Sequence, residues 1–302
     1  MTEGFGEVER CALCGSEGRR ELFRDGRFQV VRCTACSLVY TTPRLTPEAL
    51  LEKVYNERYW ASASPKEQGY ADYLAEASFY LRTFRRRLRH VERFTGAPGK
   101  VLDLGCAAGF FLQAAVEKGW RGWGVEPSRV IAEAARSRLP GVPIHQGRIE
   151  DDPFPGESYD LVTLWDVVEH TPDPVDFVRR AAARVRPGGV LVLETQNVES
   201  LFARLLGRRW QHFKHQEHLY HFSPATLRRL LEREAGLRIL DRTSRFGGKY
   251  VSPSFIAERA GKVHPLFSRL LFPLAGMKRI GLYINLFDEL IWVCRRPGEG
   301  EG

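Results

Sequence analysis

The sequence predicts an α/β protein in which a doubly wound, mostly parallel sheet is preceded by a small module built on four cysteines. Three observations predict it. Between residues 101 and 195 short apolar strands alternate with helical stretches, the pattern of a sheet covered by helices on both faces. The first of these strands runs into a glycine-rich turn, 101-VLDLGCAAG-109. Ahead of it, Cys11, Cys14, Cys33 and Cys36 form two C-x2-C pairs.

A chain of 302 residues, 43% hydrophobic and 27% charged, has room for one large core and an appended module. No presequence and no uninterrupted apolar run of bilayer length is visible, so the expected address is the cytoplasm. Six cysteines in this length do not make a disulfide scaffold; Cys106 and Cys294 are expected to stay reduced. The net charge of +8 favours anionic partners without identifying one.

In chain order, residues 8–40 read as a compact hairpin module, and a connector with Tyr55, Tyr59 and Trp60 follows. From 71 to 94, Leu74, Ala77, Tyr80, Leu81, Phe84, Leu88 and Val91 recur at steps of three and four, marking an amphipathic helix with its arginines mostly on the other surface. Strands VLDLG, GWGVE, VPIHQ, YDLVTLW and GVLVLET then alternate with helices expected at 109–118, 128–138 and 174–185. Ser223 and Pro224 suit the cap and first turn of a helix over 224–235. Strands at 237–243 and 289–295 would complete the sheet. The expected organisation is a ribbon module at 1–45, a connector and helical lid at 46–97, and a catalytic domain at 98–302 with insertions at 198–222 and 244–288.

The cysteine spacing, C-x2-C-x18-C-x2-C, lets each pair aim two thiolates at one ion and the loop bring the second pair around it. Four sulfur ligands leave no open position, so the site reads as structural, and the hairpin context favours zinc over an iron–sulfur centre.

In the glycine turn, Gly105 allows a close approach of the backbone and Gly109 lets the next helix start against a ligand. The turn lacks the G-x-G-x-x-G dinucleotide fingerprint, and no lysine follows that would serve a triphosphate. Asp103 would repel a pyrophosphate and suit an ammonium group. Glu126 closes the second strand, where a carboxylate can accept from both hydroxyls of a ribose, and Asp166 follows the fourth.

With 124-GVEPS-128, 147-GRIEDDPFPGESYDLVTLWDVVEHTPDP-174 and 184-RVRPGGVLVLETQN-197, this turn resembles the ordered motifs of class I S-adenosylmethionine-dependent methyltransferases over roughly residues 98–197. The resemblance implies a seven-stranded sheet, S-adenosylmethionine as cofactor, and cofactor contacts at Asp103, Gly105, Cys106, Gly109, Glu126, Pro127, Ile149, Glu150, Trp165 and Asp166. Within that set Ile149 would lie against the adenine, the main chain around Glu150 would meet its edge, and Cys106 also reads as a small packed residue. Arg148 stands where many relatives place an acid, and it cannot accept a hydrogen bond. The flanks, CALCG, VVRCTACSLVYTTPRLTPEAL, YNERYW and 217-EHLYHFSPATLRRLLEREAGL-237, resemble the zinc-ribbon-bearing subgroup associated with sugar, envelope and natural-product tailoring.

The implied reaction is methyl transfer to a hydroxyl, less readily to N or C, of a small or carrier-linked acceptor. His170, after the fourth strand, is the first candidate base, with Glu169 to orient it; His218 and His221, in 211-QHFKHQEHLYHFSP-224, are the next. If that segment is helical, His215 and His218 share a face and, with Glu169 or Glu217, have the donor set for a divalent ion. Two rival readings stand beside this one. An RNA methyltransferase would use the +8 charge, the ribbon and the basic-aromatic stretches LRTFRRRLRH and GRRWQHFKH as a nucleic-acid partner surface, and a non-catalytic cofactor-binding protein would need only the turn. The apolar segment 264–293 reads as a buried cap, an acceptor wall, a dimer surface or a peripheral membrane contact.

Overall fold

The computed structural model describes residues 4–53, 73, 74, 76–256, 277, 280–298 and 300. Tyr55, Tyr59, Trp60 and residues 264–276, 278 and 279 of the apolar segment 264–293 therefore lie outside the described residues. The chain opens with β1 (Phe5–Gly6), which pairs with β5 (Arg44–Leu45). Between them, β2 (Arg19–Asp25), β3 (Phe28–Cys33) and β4 (Val39–Thr42) form an antiparallel meander around the four cysteines. Helix α1 (Pro47–Lys53) follows.

Helix α2 (Ala77–Thr95) matches the predicted amphipathic stretch, but its arginines are not all on the solvent side. Arg87 is buried and its guanidinium lies 2.5 Å from Glu194. Losing either partner of such a pair strands a buried charge, at a cost of about 3–5 kcal/mol.

The predicted alternation is present as β6 (Lys100–Leu104), α3 (Phe110–Val116), β7 (Arg121–Glu126), α4 (Arg129–Arg138), β8 (Ile144–Gln146), β9 (Tyr159–Trp165), α5 (Pro174–Arg184) and β10 (Val185–Gln196). Then come α6 (Leu201–Leu206), β11 (Tyr220–His221), α7 (Pro224–Arg228), β12 (Arg238–Thr243), β13 (Lys249–Val251), β14 (Leu282–Ile284) and β15 (Glu289–Arg295). The main sheet has seven strands in the order β12-β15-β10-β9-β6-β7-β8. Only β15 runs against its neighbours, so the sheet is mostly parallel.

Because side chains alternate along a strand, the sheet separates two cores. Leu102, Leu104, Val162, Leu164, Leu191 and Leu193 pack with α5 and α7 on one face. Val101, Leu161, Val190, Val192, Ile291 and Val293 pack with α2, α3 and α4 on the other. The helix-starting signals work as read: Asp173 accepts from the amides of Val175 and Asp176 at 3.0 Å, and Ser223 caps α7 ahead of Pro224. The helix expected to run to 235 instead ends its α turns at Arg228 and continues as a π-helical turn, Arg229–Glu234.

The cysteine module is not a separate lobe. β11 pairs with β4, extending the meander to the order β11-β4-β3-β2. Its apolar side chains Val8, Leu13, Val31, Leu38 and Tyr40 join the same buried cluster as the α5 face of the main sheet. No helix among the described residues is long and apolar enough to cross a membrane.

Candidate active site

Strand order reverses between β6 and β9, which opens a crevice at the carboxyl ends of the strands. A cavity of about 440 Å³ occupies it. Its floor comes from the ends of β6, β7 and β9, one wall from α2, and the far wall from the loop carrying Gln211, His212, Lys214 and His218.

Gly105 bends the chain at φ 74°, and a Cβ there would stand 2.6 Å from Cγ2 of Val167. Its amide donates to the Val125 carbonyl at 2.8 Å, tying the turn to β7. At the end of β7 the Glu126 carboxylate accepts from the amides of Ala107 (3.0 Å) and Ser128 (2.8 Å) while facing the cavity. Burial pushes its carboxyl up to about 7, against those two amide bonds. Each oxygen keeps a second acceptor site. Gly105, Glu126, Pro127, Ile149, Glu150, Trp165 and Asp166 all line the cavity. Arg148 lines it too, its amide donating to Asp151 at 2.7 Å.

Three residues expected at the cofactor are not in the lining. Asp103 turns sideways along the sheet, where Thr163 donates to it at 2.7 Å, and burial raises its carboxyl to about 8. That position suits a structural hydrogen bond rather than an ammonium partner. Cys106 packs across β7: a Cβ on Gly124 would come within 2.8 Å of its sulfur. Gly109, at φ 75°, clears Leu139, whose Cδ1 would lie 2.8 Å from an added Cβ, so it serves helix packing.

Asp166 belongs to a charge network with no local signature in the sequence, half-buried at Asp166 and Lys249 and buried at Arg87, Glu194 and Glu289. Lys249 Nζ lies 2.9 Å from Asp166 and 3.1 Å from Glu289, while Arg87 meets Glu194 and, at 3.7 Å, Glu289. Burial would raise Asp166, but Lys249 and Arg87 outweigh it and hold the carboxyl at about 2. The available signal is Glu194 itself, the one acid of its strand, directly after the apolar run 190–193.

On the acceptor side the segment 211–219 is a series of turns rather than a helix, so the supposed shared face of His215 and His218 does not form. His215 stacks on Phe28 and His221 is wholly buried in β11, outside the cavity lining. The expected catalytic role of His221 is therefore not met by its position. His170 and His218 do line the cavity, with ring centroids 4.7 Å apart. They are brought together because Leu219 donates its amide to the Glu169 carbonyl at 2.8 Å and His170 Nδ1 meets the Glu217 carbonyl at 2.9 Å. Glu169 is buried beside them, its Oε2 accepting from Thr195 at 2.9 Å and its Oε1 3.9 Å from His170 Nε2. Burial lowers both imidazoles and raises the Glu169 carboxyl.

The sulfur atoms of Cys11, Cys14, Cys33 and Cys36 lie within 4.8 Å of one another, with Cys11–Cys36 and Cys14–Cys33 both at 3.5 Å. Tetrahedral zinc with bonds of about 2.3 Å needs sulfurs about 3.8 Å apart, so the group has the right size.

Comparison with known proteins places these features. The family described as "Methyltransferase domain" matches residues 73–241. The ubiquinone biosynthesis O-methyltransferase of Sodalis glossinidius (strain morsitans) is 35% identical over 114 residues, covering 35% of this chain and 45% of that protein. The protein of the same name from Vibrio parahaemolyticus serotype O3:K6 is 33% identical over 133 residues, covering 40% and 55%. The chain thus spans about half the length of the curated relatives it matches. Among solved structures, a chain of the complex between the Haloferax volcanii Trm112 methyltransferase activator and a methyltransferase aligns with a TM-score of 0.52. It is 20% identical and covers 75% of this chain and 95% of that one, a likeness of fold.

Proposed function

Because the chain belongs to the methyltransferase-domain family, we propose that it transfers a methyl group from S-adenosylmethionine to a hydroxyl of a small or carrier-linked acceptor. The observation that carries this reading is the two-sided cavity. The turn at Gly105, Glu126 and Ile149 forms one side and the Glu169, His170 and His218 group the other. The relatives named for ubiquinone biosynthesis O-methylation support oxygen as the receiving atom.

Bound there, S-adenosylmethionine would supply an electrophilic methyl on a sulfonium. The rest falls to the protein. The open acceptor sites of Glu126 would take the ribose hydroxyls, Gly105 leaves room for the backbone to approach, and Ile149 offers an apolar face to the base. Ionised Asp166, paired with Lys249, would hold a carboxylate at the cavity wall, where it favours a cationic ligand. Orientation of the acceptor supplies much of the rate in such a displacement. With Nδ1 of His170 donating to the Glu217 carbonyl, Nε2 carries the lone pair that would receive the hydroxyl proton. We assign Cys11, Cys14, Cys33 and Cys36 to a structural zinc, as in the ribbon-bearing subgroup, and divide the chain functionally at about residues 45 and 97.

Glu126→Ala should weaken cofactor binding about 10- to 100-fold in calorimetry, since it removes two charge-assisted hydrogen bonds. Affinity should also fall as pH drops through about 7, where the buried Glu126 carboxyl gains a proton and loses acceptor sites. Glu126→Gln should bind weakly at every pH; a variant as tight as the parent would remove Glu126 from the ribose. His170→Ala should leave cofactor affinity intact and lower single-turnover methyl transfer about 100-fold or more. Full turnover in that variant would take the base assignment away from His170.

A further inference from the structure

Glu169, His170 and His218 each present one ligand atom to a common point, and these atoms lie within 4.8 Å of one another. The group stands apart from the cysteine cluster and faces the cavity. Glu169 is 1% exposed, and its Oε1 has no hydrogen-bond partner among the described residues. A buried carboxylate oxygen left this way costs free energy unless a proton or a cation meets it. The described cations nearby are already committed, Lys249 to Asp166 and Glu289 and Arg87 to Glu194.

The surroundings are arranged as ligand supports. His170 Nδ1 meets the Glu217 carbonyl at 2.9 Å, which fixes the tautomer with its lone pair on Nε2. The Gln196 side-chain nitrogen sits 3.2 Å from Nδ1 of His218 and 3.4 Å from the Tyr220 carbonyl, which holds the imidazole in place beside Glu169 and His170. Thr195 holds the second oxygen of Glu169. We propose that Glu169, His170 and His218 bind one divalent metal ion, in addition to any ion of the cysteine module, with its open coordination positions facing the acceptor.

Two imidazoles and one carboxylate favour a first-row divalent ion such as Mn²⁺, Co²⁺ or Zn²⁺ over Ca²⁺, which prefers an all-oxygen shell. Three protein ligands leave positions for acceptor oxygens. With the ion bound, Nε2 of His170 is a ligand and no longer the base; an acceptor hydroxyl on the ion would become more acidic and release its proton to water, leaving the electron pair of the broken O–H bond on the oxygen that attacks the methyl. Vicinal hydroxyl or hydroxy-carbonyl groups, which can occupy two positions together, are the acceptor class the site fits. This inference rests on the reading of these residues as the acceptor-activating group.

The test is Mn²⁺ binding by calorimetry and electron paramagnetic resonance on the full chain, purified with its cysteine module intact. Mn²⁺ is chosen because it competes poorly for thiolates. One Mn²⁺ per chain is expected, with affinity at least about 100-fold weaker in Glu169→Gln and in His218→Ala, while adenosylmethionine affinity, measured on the same samples, stays within about 2-fold. No Mn²⁺, Co²⁺ or Zn²⁺ bound beyond the cysteine equivalent, or equal binding by the variants, overturns the site. Turnover that resists chelation yet is lost in His170→Ala also overturns the metal's role and leaves His170 as base. A bound ion whose removal changes nothing in turnover overturns the acceptor-activating reading.

Discussion

Replacing Gly105 by valine is expected to weaken adenosylmethionine binding by more than about 100-fold, the largest cofactor effect of any single substitution. Two costs combine. The backbone at Gly105 has φ 74°, a region that a β-branched residue enters only with strain of about 1–3 kcal/mol. The new Cβ would also stand 2.6 Å from Val167, a contact that real side chains do not make. Val167 cannot yield without moving the turn that holds Asp166, Glu169 and His170, because its carbonyl accepts the His170 amide at 3.0 Å. The change would therefore disturb both sides of the cavity. Calorimetry for affinity and thermal unfolding for the fold would check it; a folded variant with unchanged affinity would mean that the cofactor does not approach this turn.

The second large effect concerns the cysteines. Cys33→Ser should remove the proposed zinc and unfold the hairpin around it, since binding energy in such sites is folding energy. It should also disturb the acceptor wall. β4 pairs with β11, and the Thr41 amide donates to the Leu219 carbonyl at 3.0 Å, one residue from His218. Phe213 packs edge-on against Phe23 at 4.9 Å, and His215 stacks on Phe28. The loop carrying His218 is thus held between the cysteine hairpin and the main sheet. Expected results are loss of one zinc per chain, rapid amide exchange across residues 8–42 and 211–221, and a drop in turnover larger than the drop in cofactor affinity. Exchange confined to 8–42 would show that the module is only an appendage.

Much of this arrangement was legible in the sequence because strand–helix alternation, turn glycines and cap residues act locally. The pairs C-x2-C and the glycine turn specify geometry within a few residues, and the structure places them accordingly. What could not be read depends on contacts distant in sequence. Arg87 looked like one arginine of a solvated basic helix, yet the fold buries it on Glu194, 107 positions away. Lys249 gave no local sign of pairing with Asp166, because the partner lies on another strand end. The spacing of the histidines in 211–221 is compatible with a helix, whereas hydrogen bonds to Glu169 and His170 and packing against Phe23 and Phe28 decide the segment's path. Local spacing therefore does not show that His221 is buried outside the cavity, or how His218 reaches His170. Asp103 and Cys106 belong to the recognised turn, but the hydrogen bond from Thr163 and packing onto Gly124 engage their side chains outside the cavity lining.

Methyl transfer from S-adenosylmethionine to an acceptor oxygen can be followed with a labelled methyl group. Cell extract would be incubated with the full chain and cofactor carrying an isotopically labelled methyl, then surveyed by untargeted mass spectrometry and fragmentation. A hydroxylated small or carrier-linked compound is expected to gain one labelled methyl on oxygen, with the gain lost in the His170→Ala and Gly105→Val variants. Tight cofactor binding with no labelled product, or label appearing on RNA alone, would contradict this expectation.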